Sequence, residues 1–79
     1  MKKEELKIGN KIKGIFRKNH SKHTIVGEIT EISTDEHELK GTWVSVKITG
    51  GDMNDRYVSQ MAKYGFGVMI PIKDVVEVL

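Results

Sequence analysis

The sequence predicts an all-β domain: a small, partly open five-stranded barrel with a short helical or irregular insertion near residues 54–64. Three observations predict it. Short β-branched stretches alternate apolar and polar residues with a period of two, the spacing of strands with one buried face. Gly, Asn, Asp and Ser clusters punctuate those stretches as turns. The final stretch, residues 67–79, reads as strand, one-turn break, strand, which is how a small barrel ends. The 79 residues make a single domain, 1–79. A chain of this size hides only about 60–65% of its unfolded surface, so its core is small.

The elements follow in order. Leu6 to Phe16 is an opening turn at Gly9-Asn10 and a first strand. Ile12 and Phe16 fall on one face with Gly14 between them; Lys11, Lys13 and Arg17 fall on the other, interrupted by Ile15. Arg17 to His23 has no apolar residue and reads as a basic loop. Thr24 to Ile32 is the second strand, with Ile25, Gly27 and Ile29 in phase and Ile32 out of phase. A β-bulge near Thr30 returns Ile32 to the core face. Gly27 marks either a close approach of backbone or the coil of the strand. Residues 33–41 form a polar hairpin connection.

Thr42 to Thr49 is the clearest strand: Val44, Val46 and Ile48 face inward, and Trp43, Ser45, Lys47 and Thr49 outward. Gly50-Gly51-Asp52 ends it. Residues 53–66 read two ways. Val58, Met61 and Ala62 have helical spacing, as do Tyr57, Met61 and Tyr64, while Arg56-Tyr57-Val58 also suits a short strand before a loop. A short helix or irregular excursion is the preferred reading. Val68, Ile70 and Ile72 then alternate with Met69 and Pro71. Pro71 lacks a backbone N–H, which restricts that strand to an edge or its end. Lys73-Asp74 is the break, and Val75 to Leu79 the last strand.

Three places resemble small barrels of the Src-homology-3-like type, including KOW-like and Tudor-like modules. Leu6-Lys7-Ile8-Gly9-Asn10-Lys11-Ile12 looks like their "apolar-x-x-Gly-Asp-x-Val" opening. Ile25 to Ile32 is similar to the KOW-type "Gly-x-Val-x-x-Ile". Gly67, Ile70-Pro71 and Val75 resemble the "Gly-x-Ile-Pro-x-x-Tyr-Val" close of Src-homology-3 domains. The resemblance spans most of the chain except residues 50–66. It implies a Src-homology-3-like barrel. Lys73-Asp74 occupies the place of the groove tyrosine, and the first loop is basic where peptide-binding members are acidic. Proline-rich ligands are therefore not implied. KOW-like modules touch RNA or a partner protein through their loops, and fold alone assigns neither.

Charge is unevenly spread behind a net +2. Residues 1–23 balance at +6, residues 24–45 at −4, and residues 46–79 at zero. Such asymmetry creates a local field, unless oppositely charged neighbouring strands neutralise one another. Lys11, Lys13, Arg17, Lys18 and Lys22 are the candidate phosphate-binding cations. Trp43 is the candidate interface anchor, with Tyr57, Met61 and Tyr64 beside it as protein-binding residues. His20 and His23, with His37 near Asp35 and Glu36, do not fix a metal site, because no third ligand follows from the spacing.

With no cysteine, disulfides, thiolate metal sites and cysteine nucleophiles are excluded. No signal peptide and no membrane span is read, and a cytoplasmic location is expected. No nucleophile elbow, Walker loop or metal-hydrolase motif is present. The expectation is a non-enzyme without cofactor or metal. Two functions compete: a protein-interaction or inhibitor module, able to form homo-oligomers through a sheet edge, and a nucleic-acid-binding accessory factor using the basic loop. The compact, lysine-rich chain is also compatible with a phage or mobile-element protein that modulates a host machine.

Overall fold

The computed structural model describes residues 6–35 and 41–79. Five strands form one open antiparallel sheet: β1 (Lys11–Lys18), β2 (Ser21–Asp35), β3 (Gly41–Gly51), β4 (Gly67–Pro71) and β5 (Val75–Val78), in the order β4-β3-β2-β1-β5. One helix, α1 (Arg56–Tyr64), lies between β3 and β4, within the span expected for an insertion. A single 3-10 turn, Ile72–Asp74, separates β4 from β5. The closing segment thus has the expected strand, break, strand form. Pro71 is the last residue of an edge strand, where a missing N–H is tolerated.

The alternation read in the sequence selects the core. Ile12, Ile25, Ile29, Val44, Val46, Ile48 and Ile70 are buried, joined by Leu6 and Val75 from the two ends and by Val58 and Met61 from α1. The sheet must curl to enclose so few side chains, and two devices curl it. The register between β2 and β3 shifts between Ile29 and Glu31, leaving Thr30 as a bulge. Ile32 then stands opposite Val44 and packs against the core. At Gly27 the strands press together: a Cβ there would meet the Lys47 carbonyl and lie 2.5 Å from Val46 Cγ1. Ile70 meanwhile reaches over Gly14 of β1, where a Cβ would lie 2.8 Å from its Cδ1.

The reading differs from the structure at the basic loop. Arg17, Lys18 and Lys22 belong to strands, with Arg17 opposite Lys22 and Lys18 opposite Ser21. Only Asn19 and His20 turn the chain, with φ of +49° and +67°. A two-residue turn with both φ positive matches the right-handed twist of the strands it joins. The pairing runs on through polar residues because backbone hydrogen bonds, not apolar faces, hold a hairpin's tip.

The ambiguity over residues 53–66 is resolved by caps. Asp55 Oδ1 accepts from the N–H groups of Tyr57 (2.9 Å) and Val58 (3.4 Å). At the other end Gly65, at φ +65°, donates to Ala62 C=O, and Phe66 N–H donates to Met61 C=O, the paired bonds of a Schellman stop. The connection expected at 33–41 falls partly outside the described residues, as does His37.

Candidate functional site

The first strand places Lys11 and Lys13 on the outer face, and the register sets what stands opposite them. Lys11 stands opposite Glu28, and Glu28 opposite Lys47 on its other side. Lys13 stands opposite Glu77 of β5. Rows of alternating charge across neighbouring strands are mutually stabilising and cancel much of each other's field. Of the acids in the middle block, Glu28 is the one that the register sets opposite a lysine of the first strand among the described residues.

Arg17 has a dedicated partner. Its Nε donates to Asp74 Oδ2 at 3.3 Å and its Nη2 to Asp74 Oδ1 at 3.2 Å. Asp74 is 6% exposed and the Arg17 side chain 51% exposed. A buried carboxylate needs such a fork, since leaving it unpaired is costly. The 3-10 turn presents Asp74 to it, so the polar break read as a spacer ties β4–β5 to β1.

Lys18 Nζ donates to Tyr57 Oη at 3.0 Å and lies 5.0 Å from the ring centroid. Tyr57 stacks on Phe16, with centroids 6.5 Å apart and planes 10° apart, and lies 5.0 Å from the His23 ring. His23 Nδ1 in turn donates to Asp55 Oδ2 at 2.5 Å. That hydrogen bond is the main cause holding the Asp55 carboxyl below its ordinary value. Burial opposes it, and the N–H groups of Val58 and Tyr57 assist it. This cluster locks the start of α1 onto the β1–β2 hairpin.

Of the residues expected to bind protein, the structure separates four. Met61 is 2% exposed and belongs to the core, which corrects its assignment as a surface contact: with Val58 it is the buried stripe of α1. Tyr57 is half-buried in the hairpin cluster. Tyr64 is 65% exposed and touches Phe66, itself 55% exposed, with ring centroids 6.0 Å apart. Trp43, half-buried on the outer face, stands opposite Pro71.

Trp43 and Arg17 border the same hollow. Together with Phe16, Met69, Ile70, Pro71, Lys73 and Asp74 they line a hollow of about 210 Å³. Its walls come from β1, the start of β3, the end of β4 and the 3-10 turn. The sequence reading missed Phe16, Met69, Pro71 and Asp74 as site residues. Met69 and Pro71 were signalled by the outward phase of β4, whereas Asp74 carried no local sign of burial. A second hollow, of about 340 Å³, lies at the hairpin tip and is lined by Arg17, Lys18, Asn19, His20, Ser21 and Lys22. Among the described residues no cluster of three metal-ligating side chains occurs, and no helix is long and apolar enough to cross a membrane. Comparison with protein-family models, curated proteins and solved structures finds no match, so geometry alone carries the functional reading.

Proposed function

We propose that this chain is a non-catalytic protein-binding module of Src-homology-3-like type, acting in the cytoplasm as a regulator or inhibitor of the protein it binds. The strand order, with one 3-10 turn between the two edge strands, supports the fold assignment. A single observation carries the function: Trp43, Phe16, Met69, Pro71 and Arg17 converge on one hollow. Aromatic residues, Met and Arg are the side chains that interfaces favour at their centres. Two of the expected nucleic-acid cations have, by contrast, side-chain partners. Lys11 and Lys13 oppose carboxylates, Arg17 holds Asp74, and Lys18 rests on Tyr57.

One observation favours a second reading, a nucleic-acid contact at the hairpin tip. Arg17 and Lys22 are like charges directly opposite, and among the described residues no carboxylate lines the hollow beside them. Titration of single- and double-stranded DNA and RNA across a salt series separates the two. The protein-binding reading expects only non-specific affinity, weaker than about 1 µM at physiological salt. Tight binding lost on Lys18→Glu with Lys22→Glu, and unaffected by Trp43→Ala, would transfer the function to the hairpin tip.

A further inference from the structure

The free edge of β4 runs along the same face as the Trp43 hollow. Ile48 N–H donates to Phe66 C=O at 2.9 Å, one step beyond the Lys47–Gly67 pair. Ladder bonds between antiparallel strands alternate along the chain. Val68 and Ile70 therefore spend their N–H and C=O groups on β3, and Gly67 and Met69 turn theirs away from it. Pro71 agrees with this phase. It stands opposite Trp43, where its N–H would also have pointed away, and it caps the 3-10 turn. Among the described residues β4 has a strand on one side only, and a Cβ at Gly67 would meet nothing closer than Val46 O at 3.8 Å.

The flanks of this edge are aromatic and cationic. Tyr64 and Phe66 stand exposed at its start, Met69 is exposed in the middle, and Trp43 lies beside its end. From Arg56 to Lys73 the chain has three cations, Arg56, Lys63 and Lys73, and no acid. β3 adds Lys47 opposite Gly67 and likewise contains no acid. Asp74, at the far end, is already bound by Arg17.

We propose that β4 receives an extended, acidic segment of another protein, which pairs with the open N–H and C=O groups of Gly67 and Met69. This rests on the protein-binding reading and states how the ligand lies. From Phe66 to Pro71 is about 17 Å of strand, so the ligand contributes about five or six residues. Alternate side chains of an added strand fall on one face. Those on the outer face meet Met69 and Trp43 together with Lys47 and Lys73, so that face takes apolar and acidic side chains together, and Lys63, over the Tyr64 ring, lies at the start of the edge. A second copy of this chain suits the edge less well: it brings the lysines of both copies together, and its Pro71 offers no donor.

The probe is a capped decapeptide repeating Glu-Glu-Val-Val, so that each face of the strand carries both, with a Lys/Val counterpart and a backbone N-methylated version as controls. Each is titrated into isotope-labelled protein at low and high salt. The amides of Gly67 and Met69 are expected to gain exchange protection with the Glu/Val peptide alone, and binding to weaken with salt. Lys63→Glu and Lys73→Glu are each expected to weaken it about two- to fivefold. Met69→Pro removes an N–H that the β3 ladder does not use and is expected to abolish binding; the lysine reversals retain the test should that variant fail to fold. Absence of binding at low salt, or equal binding by the Lys/Val peptide, overturns the proposal. So does binding that perturbs the Trp43 indole while leaving both amides unprotected, a result that keeps the hollow as a site and removes the added strand. Protection of those amides rising with protein concentration alone assigns the edge to a second copy instead.

Discussion

Arg17 and Asp74 show how one side chain can change the meaning of a surface. Arg17 was legible in the sequence as a cation but not as a bound one, because its partner lies 57 residues away. No local pattern marks Asp74 as buried. The two partners are unequal, and so are the consequences of removing them. Arg17→Met leaves a buried carboxylate without its donors and should cost about 1–3 kcal/mol. Asp74→Asn releases a half-exposed guanidinium that water can solvate, and should cost less than about 1 kcal/mol. Urea denaturation of the two variants checks the order; equal losses would mean that burial of Asp74 contributes nothing. Asp55 gives a pH prediction. Its folded pKa lies below its ordinary value of 3.8, chiefly through the His23 hydrogen bond. The stability it contributes is therefore fully present above about pH 4 and is lost as pH falls through the lower, folded value. Asp55→Asn keeps a competent helix cap without the charge. Its urea midpoint should fall less steeply than that of the parent below about pH 4, and parallel slopes would contradict this.

At the scale of elements, legibility followed the apolar period. Strands with a buried face are readable from alternation alone, and the phase slip at Ile32 marks the Thr30 bulge. Where no apolar residue lay, the boundaries failed: β1 and β2 continue through Arg17–Lys18 and Ser21–His23 on backbone bonds. Asn19 was a usable signal, since Asn tolerates positive φ far better than most residues. The helix was readable as an alternative, and its caps could have decided the matter: Asp55 lies three residues before Val58, and Gly65 follows the last turn. Met61 was misassigned because Val58-Met61-Ala62 and Tyr57-Met61-Tyr64 both have helical spacing, and only packing tells which stripe is buried. Gly27 carries a prediction at this scale. Gly27→Ala drives a methyl against the Lys47 carbonyl and Val46, and strands cannot separate there without losing their ladder. A loss of about 1–3 kcal/mol is expected in thermal or urea melts; a neutral variant would mean that β2 and β3 do not press together there.

Across the whole molecule, antiparallel register converts a segregated charge sequence into a mixed surface. The +6 and −4 blocks lie on adjacent strands, so Lys11, Glu28 and Lys47 form one row and Lys13 faces Glu77. What survives as distinctive is the Trp43 hollow, continuous with an open strand edge. The hollow itself was not legible, because it is assembled from β1, β3, β4 and the 3-10 turn by curvature of the sheet. Of its lining, Trp43 and Arg17 were visible in the sequence as candidate residues, Trp43 through the outward phase of β3 and Arg17 as a cation. The most direct test of the protein-binding account is site-specific photo-crosslinking in the cell that makes the protein, with a photoreactive phenylalanine analogue placed once at Trp43 and once at Lys22. Protein adducts from position 43, with none of comparable yield from position 22, are the expected result. Nucleic-acid adducts from position 22 with no protein adduct from position 43 would contradict it.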